Sequence, residues 1–358
     1  MPMQASPDSV IASIALSHCA RAALAWEQRS QGNAVTALMA ALVWAGRASH
    51  GQLPARHATD FLNLLRRPTQ EWLPGSGPEV LLAGDSASDY AQDLVAEAGE
   101  SPEAERVQEQ VGQSRRVFAT RPDGDAEYRC FRKFLIEHGH ANRRAALDAL
   151  MASGLAWNEV FEDIPASCRH RLEGQEVFYP CPHCRWPLPG SADVLECPAP
   201  ICRQAGSQFR LTPNGLVALS GLPAPRPVLL QDQVRLRRGI WRYTLLPGLV
   251  ELRLADQLAR MGATVELWPE RDRYDLNVQV AGSEWRVDVK DWSNGVALTE
   301  HLLRHESADR VCIVIPDTRS YQLTILRDRC GRLATEFHTA SQFARVIQAA
   351  AHQQGVAP

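Results

Sequence analysis

The sequence reads as a multidomain chain: an all-α N-terminal region, a short cysteine-rich β module, and a C-terminal α/β domain on a central mixed sheet. Three observations carry this reading. Alanine-rich segments with apolar residues three and four apart run through residues 7–157. Four of the nine cysteines are crowded between residues 181 and 202. Beyond residue 240, apolar runs of strand length alternate with helical ones. The implied boundaries are a helical domain at 1–175, the cysteine module at 176–212, a linker at 213–239 and the α/β domain at 240–358.

The N-terminal helices follow from alanine's low entropic cost in a helix and from the punctuation between segments. Gly32-Asn33 and Gly51 break the first two, and the stretch LPGSGPEV at 73–80 is a loop. Further helices are expected at 58–66, 86–98, 126–138 and 142–153, with Ser101 as N-cap and Pro102 at the first turn of another. His138 and His140 flank Gly139 at a helix end, where a cap is the ordinary role. Nothing in this half has catalytic spacing. The segment LPAPRPVLL at 222–230 is a proline-rich connector. The C-terminal domain then reads as a helix at 247–261, strands at 263–268, 274–280 and 284–292, and a helix at 296–306. Strands at 310–316 and 321–328 and a last helix at 340–352 complete it.

A hydrophobic fraction of 45% and a charged fraction of 22% are ordinary for globular protein. No apolar run approaches the length of a membrane span, and the N-terminus lacks the pattern of a secretory signal, so a cytoplasmic protein is expected. The net charge of −3 does not announce a polyanion partner. It conceals segregation, however. An acidic run from Glu79 to Glu109 is relieved by Arg106 alone, whereas Arg226, Arg235, Arg237, Arg238 and Arg242 face only Asp232. The basic cluster precedes the C-terminal core, and Arg235, Arg237, Arg238 and Arg242 are the candidates for holding a phosphate backbone. A solvated face is the blander meaning of the same cluster.

Cys181-Pro-His-Cys184 and Cys197-Pro-Ala-Pro-Ile-Cys202 form two pairs, C-x2-C and C-x4-C. Two tight turns that each offer a pair of thiolates meet the tetrahedral demand of zinc at small entropic cost. With flanking strands EVFY and SQFRLT, the module reads as a zinc ribbon holding structural Zn2+. The second pair is wider than the usual knuckle, and His183 is expected to point away. A disulfide would be out of place in a cytosolic chain, and a redox couple needs only one pair. Four cysteines close the shell against catalysis.

Alternate residues of a strand share a face. In EWRVDVK, Trp285, Val287 and Val289 form an apolar face, and Glu284, Arg286, Asp288 and Lys290 the other. Asp275 begins the preceding strand, and a hairpin turn at Ala-Gly-Ser would bring its end beside Asp288 and Lys290. Two carboxylates supply hard oxygen ligands for Mg2+ or Mn2+, which acidify a water and neutralise a phosphorane. A lysine orients that water and stabilises the same charge. Glu251, on the preceding helix, adds a third carboxylate. A solvated Asp288–Lys290 pair on an amphipathic hairpin is the competing reading.

Glu on the first helix, Asp at the start of the second strand and Asp-x-Lys on the third stand in the order of the PD-(D/E)XK restriction-endonuclease-like superfamily. Residues 240–328 resemble it, Tyr274-Asp275 standing for its Pro-Asp element and Asp288-Val289-Lys290 for its D-x-K. Tyr replaces the proline. The runs RRGIWRYTLLPGLVELRL, LWPERDRYDLNVQV and WRVDVKDW are further similar to the nuclease component of prokaryotic PIWI-RE three-gene islands. That resemblance implies a DNA endonuclease in defence against invading DNA, with a PIWI-like protein and a DinG-type helicase as partners and a homodimer as a further expectation. The rival is a catalytically silent nucleic-acid-binding or assembly subunit that retains the fold. A zinc-ribbon regulator would need a helix-turn-helix within 126–165, to which the sequence is only loosely compatible. His301 and His305 lie four apart without the H-E-x-x-H pattern of a zincin, and read as packing or phosphate-facing residues.

Overall fold

The computed structural model describes residues 7–28, 31–74, 76–77, 79–97, 102–191, 193–213, 215–219, 221–305, 311–331, 333 and 335–353. The expected Ser101 cap lies outside them. The chain divides into two compact units. One comprises Met1–Pro102, Met261–Ala263 and Val278–Pro358, and the other Glu103–Arg260 and Thr264–Asn277.

The N-terminal region is helical, as its alanine pattern predicts. Helices Pro7–Glu27 and Gln31–Ala48 pack through Ala15, Cys19, Ala20, Ala22, Ala41 and Ala45, all fully buried. Small side chains at this seam let the two helices approach closely. Phe61 and Leu65 of helix Ala58–Leu65, together with Trp72, close the same core. Helix Asp89–Glu97 adds Tyr90 and Leu94.

The C-terminal part of the chain is built on a mixed sheet. Five strands, Thr264–Leu267, Leu276–Val280, Ser283–Val289, Cys312–Ile315 and Glu336–Thr339, follow one another in that order in one sheet. Ala281 and Gly282 both have positive φ, 51° and 75°. A two-residue turn of that kind matches the twist of an antiparallel hairpin and joins Leu276–Val280 to Ser283–Val289. Val287 then pairs in parallel with Cys312, and Cys312 with Glu336.

The expected strand at 321–328 is instead helical, Asp317–Gln322 and Leu323–Cys330. Parallel neighbours need a crossover, and this helical segment connects Cys312–Ile315 to Glu336–Thr339. Its buried residues Leu323, Leu326 and Cys330 stand at helical spacing, which the alternation of YQLTIL masked. Leu298 of helix Gly295–Arg304 joins them against Ile313, Ile315 and Phe337.

The second unit gathers helices Pro102–Ala119, Gly124–Glu137 and Arg143–Met151, the cysteine module and helix Leu246–Arg260. Within 213–239, read from sequence as a linker, strand Gln233–Leu236 pairs with both His140–Asn142 and Phe161–Asp163. Val234 and Leu236 are fully buried there. The strand His140–Asn142 takes the place of the turn that a helix-turn-helix would require between its helices. The run after Leu236 is helical from Arg238 and passes through a π-helical turn, Trp241–Leu245, into Leu246–Arg260. The helix therefore begins well before Pro247. The wider π turn stands just before the proline, whose missing N–H would interrupt a regular ladder. Among the described residues no helix is long and apolar enough to cross a membrane.

Candidate functional site

Four thiols converge in the cysteine module. The Sγ atoms of Cys181, Cys184, Cys197 and Cys202 lie within 4.8 Å of one another, and all four residues are buried. Cys184 and Cys197 are 3.7 Å apart. A tetrahedron with metal–sulfur bonds of about 2.3 Å has edges of about 3.8 Å, so the spacing fits zinc. The first pair sits on a turn closed by Cys181 N–H donating to the Trp186 carbonyl and Arg185 N–H donating to that of Cys181. The second is wide because a helical turn, Pro200–Gln204, carries Cys202.

Polar groups surround the sulfurs. Trp241 Nε1 donates to Cys184 Sγ at 3.4 Å, and Ser207 Oγ lies 3.2 Å from Cys181 Sγ. His183 does not point away: its Nδ1 is 3.2 Å from Cys202 Sγ. Hydrogen bonds from Cys184, then Cys197 and Cys202, pull the Cys181 thiol down, while burial pushes Cys197 up. One thiolate at the expense of its neighbours is what a cation-free cluster permits, and a divalent cation lifts that restriction.

Gly139 supports this turn from the side. A Cβ there would come within 2.4 Å of Trp186 N and 2.5 Å of the Cys184 carbonyl oxygen, so backbone meets backbone. His138 Nδ1 meanwhile contacts the Phe134 carbonyl at 3.0 Å, the expected helix-end role.

Glu251 and Asp275 belong to the same unit as the cysteines. Glu251 is 2% exposed, and Arg132 Nη2 donates to both of its oxygens at 3.0 Å. Trp268 Nε1 also donates to Oε2. Arg132 extends to Asp272 at 2.6 Å, and Arg115 and Tyr128 donate to the same Asp272 oxygen. Burial works against the charge of Arg132, yet Glu251, Asp272 and Asp275 hold its pKa well above the ordinary value. Likewise burial would raise Asp272, but Arg132 and Arg115 hold it down.

The segment carrying this network is strained. Trp268, Glu270, Arg271 and Asp272 all have φ between 48° and 73°, in the left-handed region. Each non-glycine residue there costs about 1–2 kcal/mol. The buried anchors Trp268 and Asp272 hold the shape. Arg132, Arg115, Tyr128 and Asp272 were invisible to sequence reading because they pair across some 140 residues; only charges isolated on apolar helix faces hinted at them.

Asp288 and Lys290 belong to the other unit. The strand Ser283–Val289 buries Val287 and Val289 and leaves Asp288 half-buried, as its alternation predicts. Lys290 Nζ lies 3.0 Å from Asp288 Oδ2, both side chains about a quarter exposed at 23% and 25%. Lys290 N–H donates to the Val314 carbonyl and ties the end of the strand to its parallel neighbour. The His301 ring packs at a tilt against Trp292, with centroids 5.0 Å apart, and against His305 at 4.7 Å. Burial, and after it the positive charge of Lys290, lowers His301 to about 4. It is a neutral neighbour of the pair.

A second grouping, Cys312, Glu336 and His338, also lies within 4.8 Å. Burial and the adjacent Glu336 push the Cys312 thiol up to about 12, and His338 pairs with Glu336 at 3.4 Å. It reads as a neutral thiol beside a histidine–carboxylate contact.

The arginine cluster is divided. Arg235 pairs with Glu162 at 2.7 Å and lies over the Trp186 ring. Arg242 is 5% exposed, its guanidinium 5.9 Å from the Tyr243 ring centroid. Arg237 is exposed and donates to the Asn158 carbonyl, and Arg238 is half-buried.

Residues 248–355 match the family described as "REase associating with pPIWI_RE", which makes this segment a restriction-endonuclease-like domain tied to pPIWI-RE systems. No curated protein and no solved structure matches the chain.

Proposed function

We propose that this chain, restriction-endonuclease-like over residues 248–355, is a metal-dependent DNA endonuclease of prokaryotic defence, acting beside a PIWI-like protein and a DinG-type helicase. The observation that carries the reading is the half-exposed pair of Asp288 and Lys290 inside the matched segment. A carboxylate and an ammonium 3.0 Å apart at a strand end are the groups that metal-assisted phosphodiester hydrolysis requires.

Asp275 and Asp288 are assigned as oxygen ligands of Mg2+ or Mn2+, a donor set suited to hard cations. When bound, the cation supplies a water of lowered pKa and neutralises charge on the phosphate. Lys290 orients that water. Glu251 already accepts three hydrogen bonds, two from Arg132 and one from Trp268. A carboxylate has about four acceptor sites, so Glu251 retains one for ordering a water. The four cysteines are assigned to structural Zn2+, in a zinc ribbon.

Of the arginines at 235, 237, 238 and 242, phosphate binding is assigned chiefly to Arg237, which is exposed, and to its neighbour Arg238. Neutralising both should flatten the slope of log affinity against log salt by about one unit for each arginine that neutralises a phosphate. An unchanged slope would move DNA to another surface.

The deciding experiment incubates the purified chain with supercoiled, linear and single-stranded DNA, alone and with its partner proteins, in Mg2+, Mn2+ or EDTA. Wild type should cleave only with metal. Asp288→Ala and Lys290→Ala should each lose about 10²-fold or more in rate with an unchanged unfolding curve. Metal-independent cleavage would overturn the metal assignment, and no cleavage of any nucleic acid under all these conditions leaves the silent assembly subunit as the reading.

A further inference from the structure

The four residues after Lys290 are held from two sides: Ser293 and Asn294 by the N-terminal helical region, and Asp291 and Trp292 by Arg319 and Gln322. Glu97, at the end of helix Asp89–Glu97, accepts the Ser293 N–H at 2.6 Å on one oxygen and the Asn294 N–H at 2.8 Å on the other. Asn294 caps helix Gly295–Arg304, its Oδ1 accepting from Val296 and Ala297, and the same oxygen accepts from Ser13 Oγ at 2.6 Å. Asp291 is bound by Arg319 Nε at 3.2 Å, and Arg319 Nη1 is fixed in turn by Glu79 at 2.6 Å. Gln322 closes the circle by donating to the Trp292 carbonyl at 2.9 Å.

These bonds exceed what a helix start needs, since Asn294 alone already caps it. Three of the holding residues, Ser13, Glu79 and Glu97, come from the first hundred residues, in a region with no chemistry of its own. The segment they grip joins Lys290 to the helix that carries His301, so any looseness in it is passed to the ammonium.

We propose that the N-terminal helical region is a positioning element for the nuclease centre: Glu97, Ser13 and the Glu79–Arg319 pair clamp residues 291–294 and so set where the Lys290 ammonium lies against Asp288. The proposal rests on the nuclease reading, and it gives the helical region a role that neither fold nor motif assigned. None of these clamp residues contacts substrate; they act through Lys290.

The test uses the full chain with Glu97→Gln, which can accept only one of the two amides, and Ser13→Ala, which removes a single hydroxyl. Amide exchange at Ser293 and Asn294 should quicken about tenfold in Glu97→Gln, as expected when one hydrogen bond to a buried acceptor is removed. The Lys290 side-chain NMR signals should shift in both variants, and cleavage should lose about tenfold in kcat with KM for DNA unchanged. Quickened exchange with unmoved Lys290 signals and unchanged kcat would overturn the clamp. If Glu97→Gln fails to fold, Ser13→Ala carries the same readouts. If wild type does not cleave DNA at all, exchange and the Lys290 signals still decide the clamp, and it is the nuclease reading that falls.

Discussion

Glu251 and Asp288 are carboxylates of the same candidate chemistry placed in opposite circumstances. Glu251 is buried and committed: both oxygens hold Arg132, and Trp268 adds a third donor. Asp288 is a quarter exposed and has its lysine neighbour on one oxygen. A buried carboxylate bound by three donors holds its surroundings in shape, and removing its charged partner leaves an unpaired charge in low dielectric. A half-exposed one is solvated, inexpensive to disturb, and open to a cation. The two regions therefore divide stability from chemistry.

The largest expected effect tests that division directly. Arg132→Met should destabilise the chain by about 3–5 kcal/mol, because it takes the shared cation away from two buried carboxylates, Glu251 and Asp272. Lys290→Met should cost less than about 1 kcal/mol, as for other partly exposed pairs. Urea unfolding of both variants measures the contrast. Similar losses for the two would erase it.

Gly139 sharpens the comparison on the side of the cysteines. Its Cβ would strike the backbone of the first cysteine turn, so Gly139→Ala should cost about 1–3 kcal/mol as an overpacked site. Metal analysis should find one zinc per wild-type chain and a substoichiometric amount in the variant. Full zinc content and unchanged stability would show that the turn yields.

The remaining test is a pH slope. Burial, then Asp93, raises the Glu97 carboxyl from 4.5 to about 8, against the pull of the Ser293 and Asn294 amides and of Arg319. The folded state thus keeps a proton that the unfolded chain releases. The contribution of this group is fully present below the unfolded pKa and is lost as pH rises from about 4.5 to about 8. Its slope is at most about 1.4 kcal/mol per pH unit. Glu97→Gln should remove that slope from the pH dependence of unfolding, and a slope retained in the variant would assign it to another group.

Local pattern made much of this molecule legible. The spacing of alanine and apolar residues gave the N-terminal helices, and alternation in EWRVDVK placed Val287 and Val289 inside and Asp288 at the edge. Four cysteines in two short turns converge because chain connectivity leaves them little room to do otherwise. Tertiary structure decided the rest. YQLTIL alternates like a strand, yet the need to cross between parallel strands makes it helical. Gly139 looked like a helix end, and only the approach of the Cys184–Trp186 backbone shows why no side chain fits. Arg132, Asp272 and Glu97 are buried polar groups whose partners lie 119 to 197 residues away. Such pairings leave no periodicity, because burial of charge is selected by what arrives from elsewhere in the chain and not by neighbours in sequence.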